Sequence, residues 1–311
     1  MSLRFMFPVL STAAALLVLA CSSSSELPLM AGNTQAAANE GEALFQQAKQ
    51  ADLAGNPKRA IKLYDETATR FPFVNSAAQA RFRQAELLEQ QDQPRKAFDA
   101  YQKFLTCFQA SNLYATALAR QASIAQAAAA GKVRTNFLGI HSKLATEDIA
   151  AWLGQVRDNA PKTATAAKAQ FTIGQIYQND RESAKAIDAY RQLVRDQPDS
   201  REAPAALFQI GVVFTADADR GDRNQTTLDL AREAFNDYLS QYPGHSDNAA
   251  ARKLLSDLGS RELHGSFDIA EYYFKTRQFE SAKVYYRDVM QRAPSGQLHD
   301  ASRARLKELG E

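Results

Sequence analysis

The stretch Ala169–Pro198, AQFTIGQIYQNDRESAKAIDAYRQLVRDQP, has the pattern of two helices joined by a short polar turn. Gly174 and Ala186 have almost no side chain, so the two helices can pack closely where they cross, and Tyr190 fills the space beside that crossing. Pro198 cannot continue a helix and disfavours helical backbone at the residue before it, so the second helix should end there. One helix pair cannot bury its apolar face alone, and further copies are therefore expected on both sides.

The same positions recur along the chain, which predicts a repeat array. Each copy has a small residue in its first helix, Ala in its second, an aromatic residue four residues later and Pro eight residues after that. The copies are Ala48, Ala60, Tyr64 and Pro72; Ala85, Ala97 and Tyr101, with Gln109 in place of Pro; Gly211, Ala231, Phe235 and Pro243; Ala270, Ala282, Tyr286 and Pro294; and a degenerate copy with Ile149, Trp152 and Pro161. These spacings match the tetratricopeptide pattern. The sequence therefore predicts an all-α tetratricopeptide-repeat α-solenoid of about six helix pairs over residues 41–311.

Several segments depart from the regular repeat. Ala125–Leu144 stretches the third pair and Thr215–Thr227 lengthens the turn of the fifth, and such insertions map to loops at one edge of a repeat array. Asn248–Leu263 is an additional helical stretch that leads into the last full repeat. Leu298–Leu309 has a charged face and is predicted to form a C-terminal capping helix. The array shows no alternating strand pattern, so it is predicted to be helical throughout.

The N-terminus has the features of a bacterial lipoprotein. Residues 1–20 combine one positive charge, Arg4, with an apolar run, as in a secretory signal peptide. That run is short for a membrane span. Cys21 follows Val18–Ala20 in an order that resembles a lipobox, which predicts lipidation of Cys21; ordinary cleavage and an uncleaved anchor are the alternatives. Residues 21–40 are rich in small and polar residues and are predicted to form a flexible tether.

The two cysteines have separate predicted roles. Cys21 and Cys107 are the only cysteines of the chain, so acylation of Cys21 leaves no partner for an intramolecular disulfide. Cys107 follows an apolar run and is predicted to be a small buried hydrophobic residue.

Composition and motifs argue against nucleic acid, cofactors and catalysis. The net charge is +2 with no basic stripe, whereas nucleic-acid-binding domains carry one. The segment around Gly131 lacks the first Gly and the Ser or Thr of a phosphate-binding loop, and Asp222 stands where a calcium loop needs Gly. The four histidines have no metal-ligand spacing. No enzyme, metal or cofactor site is predicted; the alternative is a catalytic site assembled from distant residues, which a pocket with perturbed pKa values would reveal.

A repeated phenylalanine is the candidate for a binding surface. It stands three residues before the small residue of the first helix, at Phe45, Phe82, Phe171, Phe208 and Phe267. First helices line the concave face of tetratricopeptide arrays, so these residues are candidates for an aromatic row along a peptide groove. Polar neighbours that could bind a peptide backbone are Gln79, Glu86, Gln175 and Glu271. The alternative is that the rings pack between helices as core, and both interpretations hold if ring edges stay exposed.

Motifs in two regions go beyond the generic repeat. They are Arg59-Ala-Ile-Lys-Leu-Tyr64, Arg70-Phe-Pro-Phe73 and Ala77-Ala-Gln-Ala-Arg-Phe82 in one region, and Arg232–Pro243 followed by Asp268-Ile-Ala-Glu-Tyr-Tyr273 in the other. They resemble the first and the later repeats of the BamD family of outer-membrane assembly lipoproteins, over residues 41–110 and 204–294. Residues 112–198 look like one or two repeats more than the five usual in that family. The last family repeat is reduced here to one helix.

The resemblance implies a non-catalytic scaffold, lipid-anchored at the periplasmic face of the outer membrane. Proteins of this family recognise unfolded outer-membrane β-barrel proteins and dock on the periplasmic domains of a BamA-type barrel. Their C-terminal repeats matter for docking, so the shortened C-terminus predicts weaker docking here. The alternative is another cell-envelope tetratricopeptide scaffold, such as a Tol-Pal or cell-division coordinator or a pilus-assembly lipoprotein.

Overall fold

The computed structural model describes residues 34–137, 140–220 and 225–311. The described residues form thirteen helices and one antiparallel β-hairpin. These elements are α1 (Thr34–Leu53), α2 (Pro57–Arg70), α3 (Ala77–Gln90), α4 (Pro94–Cys107), α5 (Tyr114–Ala129), β1 (Arg134–Phe137), β2 (Ile140–Lys143), α6 (Thr146–Asn159), α7 (Ala164–Asn179), α8 (Ser183–Asp196), α9 (Ala203–Asp219), α10 (Gln225–Gln241), α11 (Asn248–Lys275), α12 (Phe279–Arg292) and α13 (Gln297–Glu308). In chain order the helices can be grouped as six consecutive pairs, from α1 and α2 to α11 and α12, and α13 follows the last pair. The prediction of an all-α repeat fold with six helix pairs and a C-terminal helix is confirmed.

The chain divides into two compact units, residues up to Ile176 and residues from Tyr177 onwards, so the boundary falls within α7. In the first unit each helix from α1 to α6 packs against the next one along the chain. In the second unit the same holds from α8 to α13. The core of each unit therefore lies between neighbouring helices, as expected for a repeat array.

Small residues lie where helices cross, as predicted. The alanines at the repeated positions have no exposed surface; they are Ala48, Ala60, Ala85, Ala97, Ala186, Ala231, Ala270 and Ala282. Gly174 and Gly211 are buried as well. A Cβ atom at Gly211 would lie 2.6 Å from Cε1 of Phe235, well inside van der Waals contact. Only glycine therefore fits at this point of α9 without moving the aromatic ring of α10.

The ends of the helices follow from backbone chemistry. Five of the turns within pairs contain a residue with left-handed backbone, namely Gly55, Asp92, Gly131, Arg181 and Arg277, with φ of 70°, 52°, 70°, 63° and 59°. Such a residue ends a helix because it breaks the right-handed pattern of hydrogen bonds. Most of the second helices stop shortly before a proline, for example α2 before Pro72 and α8 before Pro198. The helix α4 ends at Cys107 although no proline follows, and the backbone of Phe108, with φ of −125°, is no longer helical.

The β-hairpin is the main departure from the predicted fold. The stretch Ala125–Leu144 was expected to lengthen the third pair within a helical array. Instead, it contains an antiparallel pair of strands, β1 and β2. Arg134 lies opposite Lys143 and Phe137 lies opposite Ile140. The hairpin occupies the turn between α5 and α6. The expectation that the array is helical throughout is therefore wrong at this turn, and the helices on both sides are preserved.

The boundaries at the two ends also differ in detail from the prediction. α1 begins at Thr34, so the helices start earlier than the predicted boundary at residue 41 and include the last part of the predicted tether. The predicted signal peptide, residues 1–20, and Cys21 lie outside the described residues. Asn248–Leu263 is not a separate helix but the first part of the 28-residue helix α11. None of the helices described has the length and apolar composition needed to cross a membrane.

Candidate peptide-binding site

In the first unit the repeated phenylalanines pack inside their own helix pairs. Phe45 and Phe82 are 4% and 8% exposed. The ring of Phe45 lies 5.8 Å from that of Tyr64, and the ring of Phe82 lies 5.9 Å from that of Tyr101. Tilted and edge-on aromatic contacts of this kind stabilise a core beyond the area they bury. Most of both rings therefore belongs to the core, and only the ring edges are available to a ligand.

In the second unit the corresponding rings are less deeply buried. Phe208 lies 5.6 Å from Phe235 and 5.5 Å from Tyr238, and Phe267 lies 5.9 Å from Tyr286. Both phenylalanines are half-buried. Phe171, on the part of α7 that belongs to the first unit, is also half-buried. A role of these three rings in peptide binding stays a prediction.

The edges of Phe45 and Phe82 border a pocket between α1 and α3. Its volume is about 370 Å³. Its lining consists of the aromatic residues Phe45, Tyr64 and Phe82, the apolar residues Leu53 and Leu113, and the polar residues Lys49, Asp52, Gln79, Arg83 and Glu86. Leu53 is 79% exposed, which is unusual for a leucine that borders a pocket. An apolar wall beside a few fixed polar groups is the composition expected of a ligand site.

Charged groups hold one wall of this pocket in place. Arg83 Nε donates a hydrogen bond to Asp52 Oδ2 over 2.7 Å, and Arg83 Nη1 donates to Glu86 Oε2 over 3.0 Å. The Tyr64 hydroxyl also donates to Asp52 Oδ2, over 3.3 Å. Burial, together with the charge of Asp52, raises the pKa of Tyr64 to about 12. Tyr64 therefore remains neutral and can donate its hydroxyl proton. Asp52, on the first helix of this pair, binds both Tyr64 of the second helix and Arg83 of the first helix of the next pair.

The same connection recurs in the second pair. The Tyr101 hydroxyl donates to Glu89 Oε2 over 3.1 Å, and Arg120 Nη1 lies 3.4 Å from Glu89 Oε1. In both pairs the tyrosine stands 12 residues after the carboxylate and the arginine stands 31 residues after it. The repeat therefore contains a polar connection, from tyrosine through a carboxylate to an arginine of the next repeat. We call it the Tyr–acid–Arg link.

The second unit contains two variants of this link. In one, the Tyr190 hydroxyl donates to Gln178 Oε1 over 2.6 Å, and Gln178 Nε2 donates to Gln209 Oε1 over 2.9 Å. These residues keep the spacings of 12 and 31, so amides replace the charged pair. The other variant, in the last pair, joins Tyr286, Glu271 and Arg305. The link was not predicted from the sequence: its spacings of 12 and 31 residues recur in three pairs, but the residue type of the acceptor changes from pair to pair.

The polar positions predicted around the phenylalanines have different environments. Gln79 and Glu86 line the pocket between α1 and α3. Gln175 is exposed on α7. Glu271 belongs to the link of the last pair. Two of the four predicted polar residues therefore lie at one pocket with Phe45 and Phe82.

Two expectations about reactive residues can be compared with the structure. Cys107 is half-buried at the end of α4 and takes part in a disulfide; the prediction that it is a small buried hydrophobic residue is therefore wrong. Part of the segment compared with a calcium loop, residues 221–224, is also outside the described residues. Elsewhere in the described chain no three His, Cys, Asp or Glu residues group together in a way that could hold a metal ion.

Comparison with known proteins supports the repeat assignment. A family model described as tetratricopeptide repeat matches residues 42–73, 79–106 and 168–200, which correspond to the first, second and fourth helix pairs. A search of curated proteins gives no match.

The chain also resembles several solved structures at low sequence identity. One is a tetratricopeptide-repeat protein of Bacteroides fragilis, with 15% identity and a TM-score of 0.46 over 70% of this chain and 98% of that one. Another is MamA of Desulfovibrio magneticus, with 16% identity and a TM-score of 0.30 over 66% and 97%. A third is pilF of Pseudomonas aeruginosa, with 14% identity and a TM-score of 0.31 over 87% and 99%.

Proposed function

We propose that this chain, which contains tetratricopeptide repeats, is a non-catalytic scaffold that binds an extended segment of another protein between α1 and α3. Tetratricopeptide-repeat proteins mediate protein–protein interactions. The observation that supports this site is the pocket in which exposed Leu53 stands beside the edges of Phe45 and Phe82. An apolar side chain of the bound segment would contact these three residues.

The polar residues of the pocket suit the backbone of such a segment. Gln79 can both donate and accept a hydrogen bond. Arg83 is already held by Asp52 and Glu86, so it offers its guanidinium group with little further loss of side-chain entropy. A few buried anchors supply most of the affinity of such an interface, while the surrounding contacts mainly exclude water. The site therefore favours extended segments with an apolar side chain and tolerates different sequences around it.

We further propose a BamD-like role in the assembly of outer-membrane β-barrel proteins. In this proposal the protein is lipid-anchored at the periplasmic face of the outer membrane, binds unfolded barrel proteins and docks on a BamA-type barrel. The support is the set of family motifs in Arg59–Phe82 and Arg232–Tyr273. The first of these segments forms α2 and the start of α3, next to the pocket.

The proposed anchor is lipidated Cys21. A single acyl chain binds membranes only marginally, so stable attachment requires more than one. Since Cys21 and Cys107 are the only cysteines, acylation of Cys21 in this proposal leaves the Cys107 thiol without an intramolecular partner, so the lipidated protein could form the disulfide of Cys107 only with another molecule. Mass spectrometry of the N-terminal peptide from native membranes should show an acylated Cys21 at the mature N-terminus. An N-terminal peptide without acyl chains would contradict the anchor.

Peptide binding can be tested at Leu53, because this exposed side chain can change without disturbing the core. We expect Leu53→Asp to weaken binding of a labelled peptide that copies a strand of an outer-membrane β-barrel by about tenfold, since a charged group would replace the apolar contact. Fluorescence anisotropy measures the affinity. Val284→Asp is the matched control, because Val284 is 59% exposed, lies outside the family motifs and does not line the pocket. Equal effects of the two changes, or no effect of Leu53→Asp, would contradict binding at this pocket.

The partner can be identified by crosslinking in the native cell envelope. We expect the full-length protein to be crosslinked to a BamA-type barrel, and its depletion to lower the level of folded outer-membrane β-barrels. Recovery of Tol-Pal or pilus-assembly components without any barrel-assembly protein would support the alternative envelope scaffold instead. Because the anisotropy experiment uses only the purified protein, it separates peptide binding from the identity of the partner.

A further inference from the structure

A second pocket of the first unit lies between the second helices α2 and α4. Its volume is about 490 Å³, within the range of roughly 300–1,000 Å³ that ligand pockets occupy. It is lined by Lys58, Ile61 and Asp65 of α2, by Arg81, Gln84 and Leu88 of α3, by Gln93, and by Lys96, Asp99, Ala100 and Lys103 of α4. We call it the lysine pocket. It is distinct from the pocket between α1 and α3, because the two share no lining residue.

The sequence places these residues on matching helix faces. Lys58, Ile61 and Asp65 follow the spacing of one face of α2. Lys96, Asp99 and Lys103 follow the same spacing on α4. The side chains of both helices therefore meet above α3, and the charged groups follow the length of the two helices rather than clustering at one point.

The positive charges of the lysine pocket are largely unneutralised. Asp65 accepts hydrogen bonds from Arg81 and from Gln84 Nε2, the latter over 3.1 Å, so it is already paired. Lys96 donates to the neutral Gln93 over 2.9 Å. Neither Lys58 nor Lys103 has a carboxylate partner within ion-pair distance in the described chain. The pocket lining therefore has three lysine ammonium groups, and Asp99 is its one carboxylate that is not paired with Arg81.

The floor of the lysine pocket is apolar and partly shielded from water. Ile61, Leu88 and Ala100 line it, and Leu88 and Ala100 are 5% and 4% exposed. Burial raises the pKa of the Asp99 carboxyl, although Arg95 and Lys103 oppose this shift. The lysine side chains themselves are exposed, so their attraction for an anionic ligand depends on the salt concentration.

We propose that the lysine pocket binds an acidic peptide segment that contains an aliphatic residue. Carboxylates of the segment would pair with Lys58, Lys96 and Lys103, and its aliphatic side chain would contact Ile61 and Leu88. Charge complementarity selects an acidic partner, and the apolar floor beneath the lysines selects a peptide over a small inorganic anion. This site does not depend on the proposed binding of barrel segments between α1 and α3.

The test uses the full-length protein and a fluorescein-labelled peptide of sequence Asp-Glu-Leu-Glu-Asp, with Asn-Gln-Leu-Gln-Asn as its uncharged match. Fluorescence anisotropy at low and high salt measures binding. We expect the acidic peptide to bind, to bind more weakly as salt rises because exposed charges are screened, and to bind more tightly than the amide peptide. Lys96→Glu combined with Lys103→Glu should weaken binding of the acidic peptide by about tenfold or more, because attraction becomes repulsion.

Controls separate the lysine pocket from general charge effects. Lys62→Glu combined with Lys168→Glu changes the net charge equally at exposed positions outside the pocket, and we expect affinity to stay within about twofold. Circular dichroism melts should show that both double variants fold, and Lys58→Ala gives a milder change in the same pocket. Equal weakening by the two double variants, or equal binding of the acidic and amide peptides, would overturn the proposal. Binding to phosphatidylglycerol vesicles without binding to the acidic peptide would also overturn it and would indicate a lipid surface instead.

Discussion

The first and the last helix pairs each contain a phenylalanine, a tyrosine, a carboxylate and an arginine in contact, but these contacts have different structural roles in the two pairs. In the first pair Phe45 contacts Tyr64, whose hydroxyl reaches Asp52, and Arg83 of the next helix binds that carboxylate. In the last pair the residues are Phe267, Tyr286, Glu271 and Arg305.

The difference between the two pairs lies in where the carboxylate stands. Asp52 follows Phe45 by two helical turns, whereas Phe274 occupies the equivalent position after Phe267 and the carboxylate is one turn earlier, at Glu271. The Arg305 guanidinium binds Glu271 and lies 4.5 Å from the centre of the Phe274 ring. A cation over an aromatic face adds about 0.5–2 kcal/mol, more when it is desolvated.

This comparison shows how one repeat can form either a ligand site or an end. In the first pair the arginine comes from α3, and an open pocket with exposed Leu53 remains beside the link. In the last pair the arginine comes from α13, so the link attaches the terminal helix to α11. The Tyr–acid–Arg link therefore forms a pocket wall in the first unit and attaches a capping helix in the second.

The largest expected effect is at Glu271. Glu271→Ala should destabilise the second unit by about 2 kcal/mol, because the Tyr286 hydroxyl loses its acceptor and Arg305 loses its main partner. Hydrogen–deuterium exchange should become faster in α13. Glu308→Ala is the control, because this exposed residue also pairs with Arg305 and surface pairs contribute little. Unchanged exchange in α13 would show that the link does not hold the terminal helix.

A smaller effect on stability is expected at Asp52. Asp52→Ala should destabilise the first unit by about 1 kcal/mol, because its hydrogen bond from Tyr64 is long, at 3.3 Å, and Arg83 keeps Glu86 as a partner. It should also weaken peptide binding between α1 and α3, whereas Glu271→Ala should leave that binding unchanged. Anisotropy and exchange in α1–α3 measure the two effects. If both variants weaken binding equally, the distinction between pocket wall and helix attachment fails.

The smallest effect is the acid sensitivity of the last pair. Burial opposes ionisation of Glu271, but hydrogen bonds from Tyr286 and Arg305 outweigh it and hold the pKa of this carboxyl below its ordinary value. The unfolded chain then binds the proton more readily than the folded protein does. The stability from Glu271 is therefore complete above the ordinary Glu pKa of about 4.3 and is lost as pH falls through the lowered folded value.

Urea unfolding of the native protein and of Glu271→Gln measures this sensitivity. The difference in the free energy of unfolding between the two should be greatest near pH 7 and should decrease as pH falls below about 4. A difference that is constant over this range would show that the charge of Glu271 does not contribute to stability.

The helix pairs could be predicted from sequence because their crossings admit only certain residues. Ala60 and Ala282 are fully buried, and Gly211 leaves no space for a Cβ atom, so these positions retain small residues in every copy. The Tyr–acid–Arg link was missed for the opposite reason. Its acceptor is Asp52 in one pair and Gln178 in another, and different residue types that form the same hydrogen bond give no recurring letter in the sequence.

The candidate site could be predicted only in part. The position of Phe82 identified the correct helix face, but the sequence could not show that Tyr101 covers most of its ring. The exposure of Leu53 depends on the neighbouring helices. The lysine pocket was missed because Lys58 and Lys103 are ordinary surface residues until α2 and α4 are placed side by side.

The turn that contains the β-hairpin shows where this architecture can acquire new segments. The hairpin lies between α5 and α6, the first and second helices of one pair. The two helices beside the hairpin still pack against each other. The first-to-second-helix turn is therefore a position at which a lineage can gain, lose or exchange a module, and at which a reporter domain could be grafted, without rebuilding the rest of the protein.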